Sequence, residues 1–499
     1  MALCDFNHHP ATTRKMKNIV PWLVLFVSLS SYFCTSRKSQ STFNSSLEPC
    51  SSGGSDSTLR CGTLSVFENP KTNSGRKIDL NVVVIPAIHK NTENAPIFML
   101  EGGPGAAATN DSSYYADSIN FYRVNFDIVL LDVRGTGKSN PLHCRQLQFK
   151  KNLEEQLTEM YPLDAVKACY DSLSLNADLT QYNTTNMAID IEVVRKWLGY
   201  EKINLFGLSF GTRLAQVYMK MFPASVESCV LWSPTTTYSK MPLYHAAFAE
   251  ESMSKLMADC EKDSLCATSF PNFKYEFEEL TKRGKEGPFT SNFKSQNGKT
   301  RNVNIPWFAF QTKIRSLMYM PFGLRQIPHL VHQSYLGNWQ PFLSLFPDAS
   351  SYDDFIAEGL YLCVTCIEDV PFISEEDADL LTKGTFMGRY RIDQQQGACK
   401  NWVNGVVPAD YFEPLTSSIP TLVFSGYFDP VTPPSMAEQI VSTLNKSFLV
   451  TIPAMSHTFD GLSNPECFDK LVLEFYTNPS VRPNSECVNE MKPEPYKTE

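Results

Sequence analysis

Three side chains set far apart in the chain have the types and surroundings for nucleophilic catalysis. Ser209 sits in Gly207-Leu208-Ser209-Phe210-Gly211, a G-x-S-x-G. Gly and Ser are common enough that the pattern alone says little. Its flanks say more: Ile203, Asn204, Leu205 and Phe206 read as a short buried strand, and Leu214, Val217, Tyr218 and Met221 recur at helical spacing. A strand, a glycine turn and a helix are what a nucleophile elbow requires. A serine nucleophile also needs a base to take its proton and a carboxylate to orient that base. Asp429, in "VFSGYFDPVTPP", and His457, in "IPAMSHTF", each follow a strand-like run. The spacing of 28 positions between them leaves room for one helix and one strand, and the chain has eight histidines in all. Each residue also has a bland reading: a turn serine, an Asx-turn aspartate before Pro430, a capping histidine.

The elements that must position these groups follow from periodicity. "GTLSVFE" and "KIDLNVVVIPA" read as an antiparallel start, and "APIFMLEGG" and "FDIVLLDVRG" as strands covered on both faces. A helix is expected around "NMAIDIEVVRKWLGY", with Met187, Ile191, Val194 and Leu198 on one face. Strands alternating with helices predict a mostly parallel sheet with helices on both faces, an α/β fold. From 234 to 398 helical periodicity takes over and aromatics and Met are frequent, which predicts a mainly helical insertion. The expected layout is a leader over 1–38, a linker over 39–57, the first part of the core over 58–233, a helical cap over 234–398, the second part of the core over 399–490, and a loose polar tail over 491–499.

The chain has 499 residues, a formal charge of −9 and a pI near 5.5, with no basic stripe, so nucleic-acid binding is not expected. Asn18–Phe33 is an apolar run preceded by Lys15 and Lys17 and followed by Arg37 and Lys38, which reads as a secretory signal or an N-terminal membrane anchor. Of 14 cysteines, Cys4 and Cys34 lie in the leader. Cys50 and Cys61, Cys144 and Cys169, Cys260 and Cys266, and Cys467 and Cys487 are spaced as short disulfide loops of an exported chain. Cys363-x-x-Cys366 has no second Cys/His pair at finger spacing, so no metal is expected.

At this point the chain resembles the α/β-hydrolase peptidases of the prolyl iminopeptidase and tripeptidyl aminopeptidase family. "EGGPG" (Glu101–Gly105) is similar to the family's oxyanion loop, and "DVRGTGKSNPLHC" (Asp132–Cys144) to its D-x-R-G-x-G-x-S segment. "NTTNMAIDIEVVRKWLG" resembles the helix before its elbow, and "CEKDSLCATSFP" and "ACKNWV" resemble cysteine features of the tripeptidyl branch. Glu101 stands where the prolyl iminopeptidase loop has histidine, which weakens the case for strict proline preference.

The resemblance implies an α/β-hydrolase fold of about eight strands. It makes Ser209 the nucleophile, Asp429 the orienting acid and His457 the general base. Phe210 and either Gly102 or Gly103 would supply the oxyanion-hole N–H groups, and no cofactor is implied. It also implies a Cys366–Cys399 disulfide, with Cys363 as the competing partner; Cys229 and Cys363 are the candidates for free thiols. Arg134 is expected to hold the loop beneath the site rather than to take part in chemistry. Glu368 and Asp369, in a C-x-E-D segment similar to the family's, are expected to bind the substrate ammonium, with Glu101 the next candidate. The whole reads as an exported serine exopeptidase acting on short peptides with a free N-terminus. An esterase or lipase on the same triad is the first rival, and a non-catalytic binding protein on a hydrolase scaffold the second.

Overall fold

The computed structural model describes residues 46–499 except 52–58, 90–93, 118–119, 151, 296–297, 347–350 and 353–354. The expected signal or anchor at 1–38 lies outside the described residues.

The alternating and continuous apolar runs become nine strands of one sheet: β1 (Glu48–Cys50), β2 (Leu59–Phe67), β3 (Lys77–Ile85), β4 (Ile97–Leu100), β5 (Ile128–Leu131), β6 (Ile203–Leu208), β7 (Val226–Trp232), β8 (Thr421–Gly426) and β9 (Ser447–Ile452). Their order is β1-β2-β3-β5-β4-β6-β7-β8-β9. The pairings from β1 to β5 are antiparallel, and every pairing from β5–β4 onward is parallel. The unbroken apolar runs β4 and β5 are fully buried, as strands covered on both faces should be, and so is β8. The fold is that of an α/β hydrolase, with nine strands where about eight were expected. The extra strand, β1, lies inside the expected 39–57 linker, and the Cys50–Cys61 bond ties it to β2.

The parallel register positions the site. Leu100, the last residue of β4, is paired with Gly207 of β6, and Leu208 with Trp232 of β7. Phe424 of β8 also pairs with Trp232, and Gly426 with Ile452 at the end of β9. The loops after β4, β6, β8 and β9 therefore leave the same edge of the sheet, where α/β proteins build their sites. Those loops carry Glu101–Gly105, Ser209, Asp429 and His457.

Between β7 and β8 the chain forms helices at His245–Lys262, Phe273–Glu286, Trp307–Leu317, Ile327–Tyr335, Glu358–Glu368 and Tyr390–Cys399, with one hairpin of Phe289–Lys294 and Thr300–Ile305. Phe310, Trp339 and Phe342 pack at its centre with Leu280 and Met253. Much of the aromatic content of this stretch is thus core.

The C-terminal residues are not loose. Tyr496 is buried, its hydroxyl donates to Asp259 at 2.7 Å, and the Arg325 guanidinium lies 4.1 Å from its ring centre. Lys497 N donates to the Arg325 carbonyl at 3.0 Å. One aromatic with a polar tip fastens a segment whose composition reads as a tail.

Five disulfides join Cys50–Cys61, Cys144–Cys169, Cys260–Cys266, Cys366–Cys399 and Cys467–Cys487. Cys229 and Cys363 are free and buried. Several disulfides suit an extracellular environment. Among the described residues no helix is long and apolar enough to cross a membrane.

Candidate active site

Ser209 sits between β6 and the Phe210–Met221 helix with φ +52° and ψ −119°. A positive φ at a non-glycine residue is sterically unfavourable and persists where the surroundings enforce it. They do so here. A Cβ at Gly207 would lie 2.7 Å from the Gly211 carbonyl oxygen, and one at Gly211 would overlap the Leu100 carbonyl oxygen. Both glycines let strand and helix close around a turn that holds up the serine.

His457 Nδ1 lies 2.8 Å from Asp429 Oδ2. Asp429 also accepts from the Val431 and Thr432 N–H groups at 2.7 and 2.9 Å and from Thr432 Oγ1 at 2.7 Å. Burial would raise this carboxyl, but His457 beside it and the Thr432 hydrogen bonds take it below its ordinary value. The carboxylate is thus ionised and fixed, with the imidazole Nε2 turned away from it. The Ser233 hydroxyl donates to the His457 carbonyl at 2.7 Å. From the insertion, the Tyr319 ring packs edge-on against His457, 5.2 Å between centres, and its carbonyl accepts the Thr458 N–H at 3.0 Å.

Ser209, His457, Phe210, Gly102 and Gly103 line one cavity of about 840 Å3. A Cβ at Gly102 would lie 3.2 Å from Ser209 Cβ and 3.7 Å from its Oγ, so the loop after β4 abuts the serine. Phe210 opens its helix, and the N–H groups of a first helical turn have no intrahelical acceptor. The loop is held from the other side as well: Ala357 N donates to the Gly105 carbonyl at 3.0 Å, and Ala106 and Ile356 form an antiparallel bridge.

Of the three acids expected at the substrate ammonium, Glu101 alone lines the cavity. Burial, then the nearby Asp111, raise its carboxyl to about 8. Glu368 and Asp369 are elsewhere, and this corrects the expectation placed on them. Glu368 accepts from Thr184 N and Thr184 Oγ1, both at 2.6 Å, and from the Tyr411 hydroxyl at 2.5 Å. Asp369 faces Arg213 Nη1 at 3.0 and 3.1 Å. Arg213 is one turn past Ser209 and also donates to the Thr236 and Ser239 carbonyls at 3.0 and 2.7 Å. All three side chains are buried, so the acids brace the helix behind the serine and its neighbour. Arg134 is likewise structural: it pairs with Asp190 at 2.6 and 2.8 Å and donates to the Glu68 carbonyl at 2.6 Å.

Sequence reasoning passed over Thr432 and Tyr319, which hold the His457–Asp429 pair in place. A Thr three residues after a candidate acid is a signal that could have found the first. Nothing in the aromatic stretch separates Tyr319 from its core neighbours.

Residues 95–459 match the family model described as alpha/beta hydrolase fold. The chain is similar to serine protease Hip1 of Mycobacterium tuberculosis, 22% identical over 458 residues, which covers 85% of this chain and 86% of that one. It is also similar to a tripeptidyl aminopeptidase of Streptomyces lividans, 28% identical over 197 residues but spanning 35% of either chain. Among solved structures, a proline iminopeptidase of Mycobacterium smegmatis aligns over 84% of this chain and 99% of its own, with 14% identity and a TM-score of 0.41. With the model covering well over half its length, the chain belongs to the alpha/beta hydrolase family.

Proposed function

We propose that the protein is an exported serine exopeptidase that removes residues from the free N-termini of short peptides. The observation that carries this reading is the cavity onto which Ser209, held in a strained elbow, and the Asp429-oriented His457 both open. Relatives named as a serine protease and a tripeptidyl aminopeptidase support peptides as the substrate class, and five disulfides support export.

In this mechanism Ser209 Oγ attacks the scissile carbonyl carbon while its proton passes to His457 Nε2. The carbonyl oxygen takes up negative charge and is met by the N–H groups of Phe210 and of Gly102 or Gly103. When the C–N bond breaks, His457 returns the proton to the leaving amine and Ser209 keeps the acyl group. Water, deprotonated by the same imidazole, then attacks the acyl-enzyme and the proton goes back to Ser209. Asp429 stays ionised and stabilises the imidazolium throughout. Glu101, beside the oxyanion loop, is the carboxylate for the substrate ammonium, which would otherwise be desolvated without compensation.

A fluorophosphonate probe should add one mass increment at Ser209, and Ser209→Ala should abolish both labelling and peptide cleavage. Peptide-anilides with a free amine should be cleaved well ahead of their N-acetylated forms. Cleavage of short acyl esters with no cleavage of any free-amine peptide would replace this reading with an esterase on the same triad.

A further inference from the structure

The protein as a whole is acidic, yet its large cavity is lined by five Lys and Arg residues against three carboxylates, Glu101, Glu159 and Glu358. The excess has a centre. Arg315, on the Trp307–Leu317 helix, and Arg391, on the Tyr390–Cys399 helix, both line the cavity and both act on His245, also on its wall. Burial, followed by these two guanidiniums, holds His245 well below its ordinary range, so its imidazole is neutral. Lys313 lines the same cavity with its ammonium 4.5 Å from the Phe346 ring centre.

These cations are under-partnered. Arg315 Nη1 donates to the Tyr319 hydroxyl at 3.1 Å, while its buried Nε and Nη2 have no hydrogen-bond partner among the described residues. Arg391 Nη2 donates to the Tyr361 hydroxyl at 2.7 Å, and its Nε is also buried and unpartnered. Neither guanidinium forms an ion pair among the described residues. The carboxylate that acts on Arg391 is Glu358, which accepts the Tyr161 hydroxyl at 2.5 Å. Elsewhere in this fold buried arginines are satisfied: Arg134 and Arg213 each face an aspartate. Glu358 acts on Arg391 without forming an ion pair, so neither guanidinium has a direct anionic partner, which is unfavourable away from water, and a bidentate carboxylate is the partner its geometry fits.

We propose that Arg315 and Arg391, with Lys313, form a subsite for a carboxylate of the substrate. The proposal rests on the peptidase reading and narrows it to peptides that carry a free carboxylate within reach of the cavity. Two sources share that chemistry, the C-terminus of a short peptide and an Asp or Glu side chain. Tyr319 links the subsite to the reaction centre, since it touches both Arg315 and His457.

The test is calorimetric binding to Ser209→Ala protein, in which no peptide is turned over. One arm compares short free-amine peptides ending in a carboxylate with the same peptides as C-terminal amides. The other compares amidated peptides containing Glu with their Gln counterparts. In at least one arm the acid form should bind roughly 10- to 100-fold more tightly, the value of a charge-assisted contact. The arm that shows it names the source. Adding Arg315→Gln should shrink the difference to about threefold or less, and Arg315→Lys should restore part of it. Acid and neutral forms binding alike in both arms overturns the subsite without any further variant, as does a full difference that survives Arg315→Gln. Cleavage is read separately on the unmodified enzyme. Peptides cleaved with no carboxylate preference sink the subsite and spare the peptidase reading; carboxylates bound but no peptide cleaved does the reverse.

Discussion

Asp429 Oδ2 faces His457 Nδ1 at 2.8 Å while accepting Thr432 Oγ1 at 2.7 Å. One oxygen therefore orients the imidazole and is itself fixed by a hydroxyl three residues on. Asp429→Asn should leave the fold intact and cut peptide turnover by about 10⁴, because the amide favours the wrong imidazole tautomer. Thr432→Val removes a supporting hydrogen bond and should lower turnover by roughly two- to tenfold. Single-turnover rates on a peptide-anilide, with circular dichroism as the folding control, check both.

If Glu101 binds the substrate ammonium as proposed, it should give a pH dependence with a definite sign. Its carboxyl is raised to about 8, by burial first and then by Asp111, so near neutrality it holds a proton. An ammonium bound there requires the carboxylate, and binding releases that proton. Apparent affinity for free-amine peptides should therefore fall by about tenfold per unit as pH drops below 8. N-acetylated peptides should show no such slope, and Glu101→Gln should remove it. A KM series across pH 5 to 9 decides the matter. The same group affects the fold. Its folded value lies above its unfolded one, so the native state binds the proton more tightly, and stability should decline as pH rises from about 4.5 to about 8.

Arg213 compensates Asp369 directly at 3.0 Å and Glu368 at 3.9 Å, all three out of contact with water. Arg213→Met would leave two uncompensated buried acids behind the nucleophile helix. It should destabilise the protein by about 3–5 kcal/mol, read by chemical denaturation. Glu368→Gln should lower stability by about 1–3 kcal/mol. It should leave the ratio of KM values for free-amine and acetylated peptides unchanged, because Glu368 caps Thr184 and does not face the cavity.

Burial pushes the Cys363 thiol up to about 12 and the Cys229 thiol higher still. Within residues 46–499, iodoacetamide should modify neither cysteine in the folded protein and both after unfolding without reductant. Peptide mapping of alkylated protein reads this directly.

The candidate reaction groups could be picked out in the sequence because chain position brings them together. Ser209, Asp429 and His457 each follow an apolar run, and parallel strands deliver their C-terminal ends to one edge. Glu368 and Asp369 were misplaced for a reason of the same kind. Two acids beside a bonded cysteine look alike in sequence whether they face a cavity or Arg213, whose position is 156 residues away. Arg315 was hidden differently. The Trp307–Leu317 helix is apolar around much of its circumference, so periodicity does not say which side meets the cavity and which the core. Tyr496 shows the limit at the terminus, where composition records polarity and one ring decides the packing.

The hydrogen bond from Ala357 to Gly105 has a consequence for engineering. Cap segments of hydrolases invite exchange, because they are inserted between strands and carry much of the pocket wall. Here the segment entering the Glu358–Glu368 helix is also a backbone partner of the Glu101–Gly105 loop beside Ser209, and Tyr319 and Met318 hold the histidine turn. Transplanting this insertion into another scaffold, or replacing it with a shorter one, would unfasten the reaction centre along with the specificity surface. Libraries aimed at new substrates belong on the cavity face of the Trp307–Leu317 helix, where side chains can change and the main-chain staples stay in place.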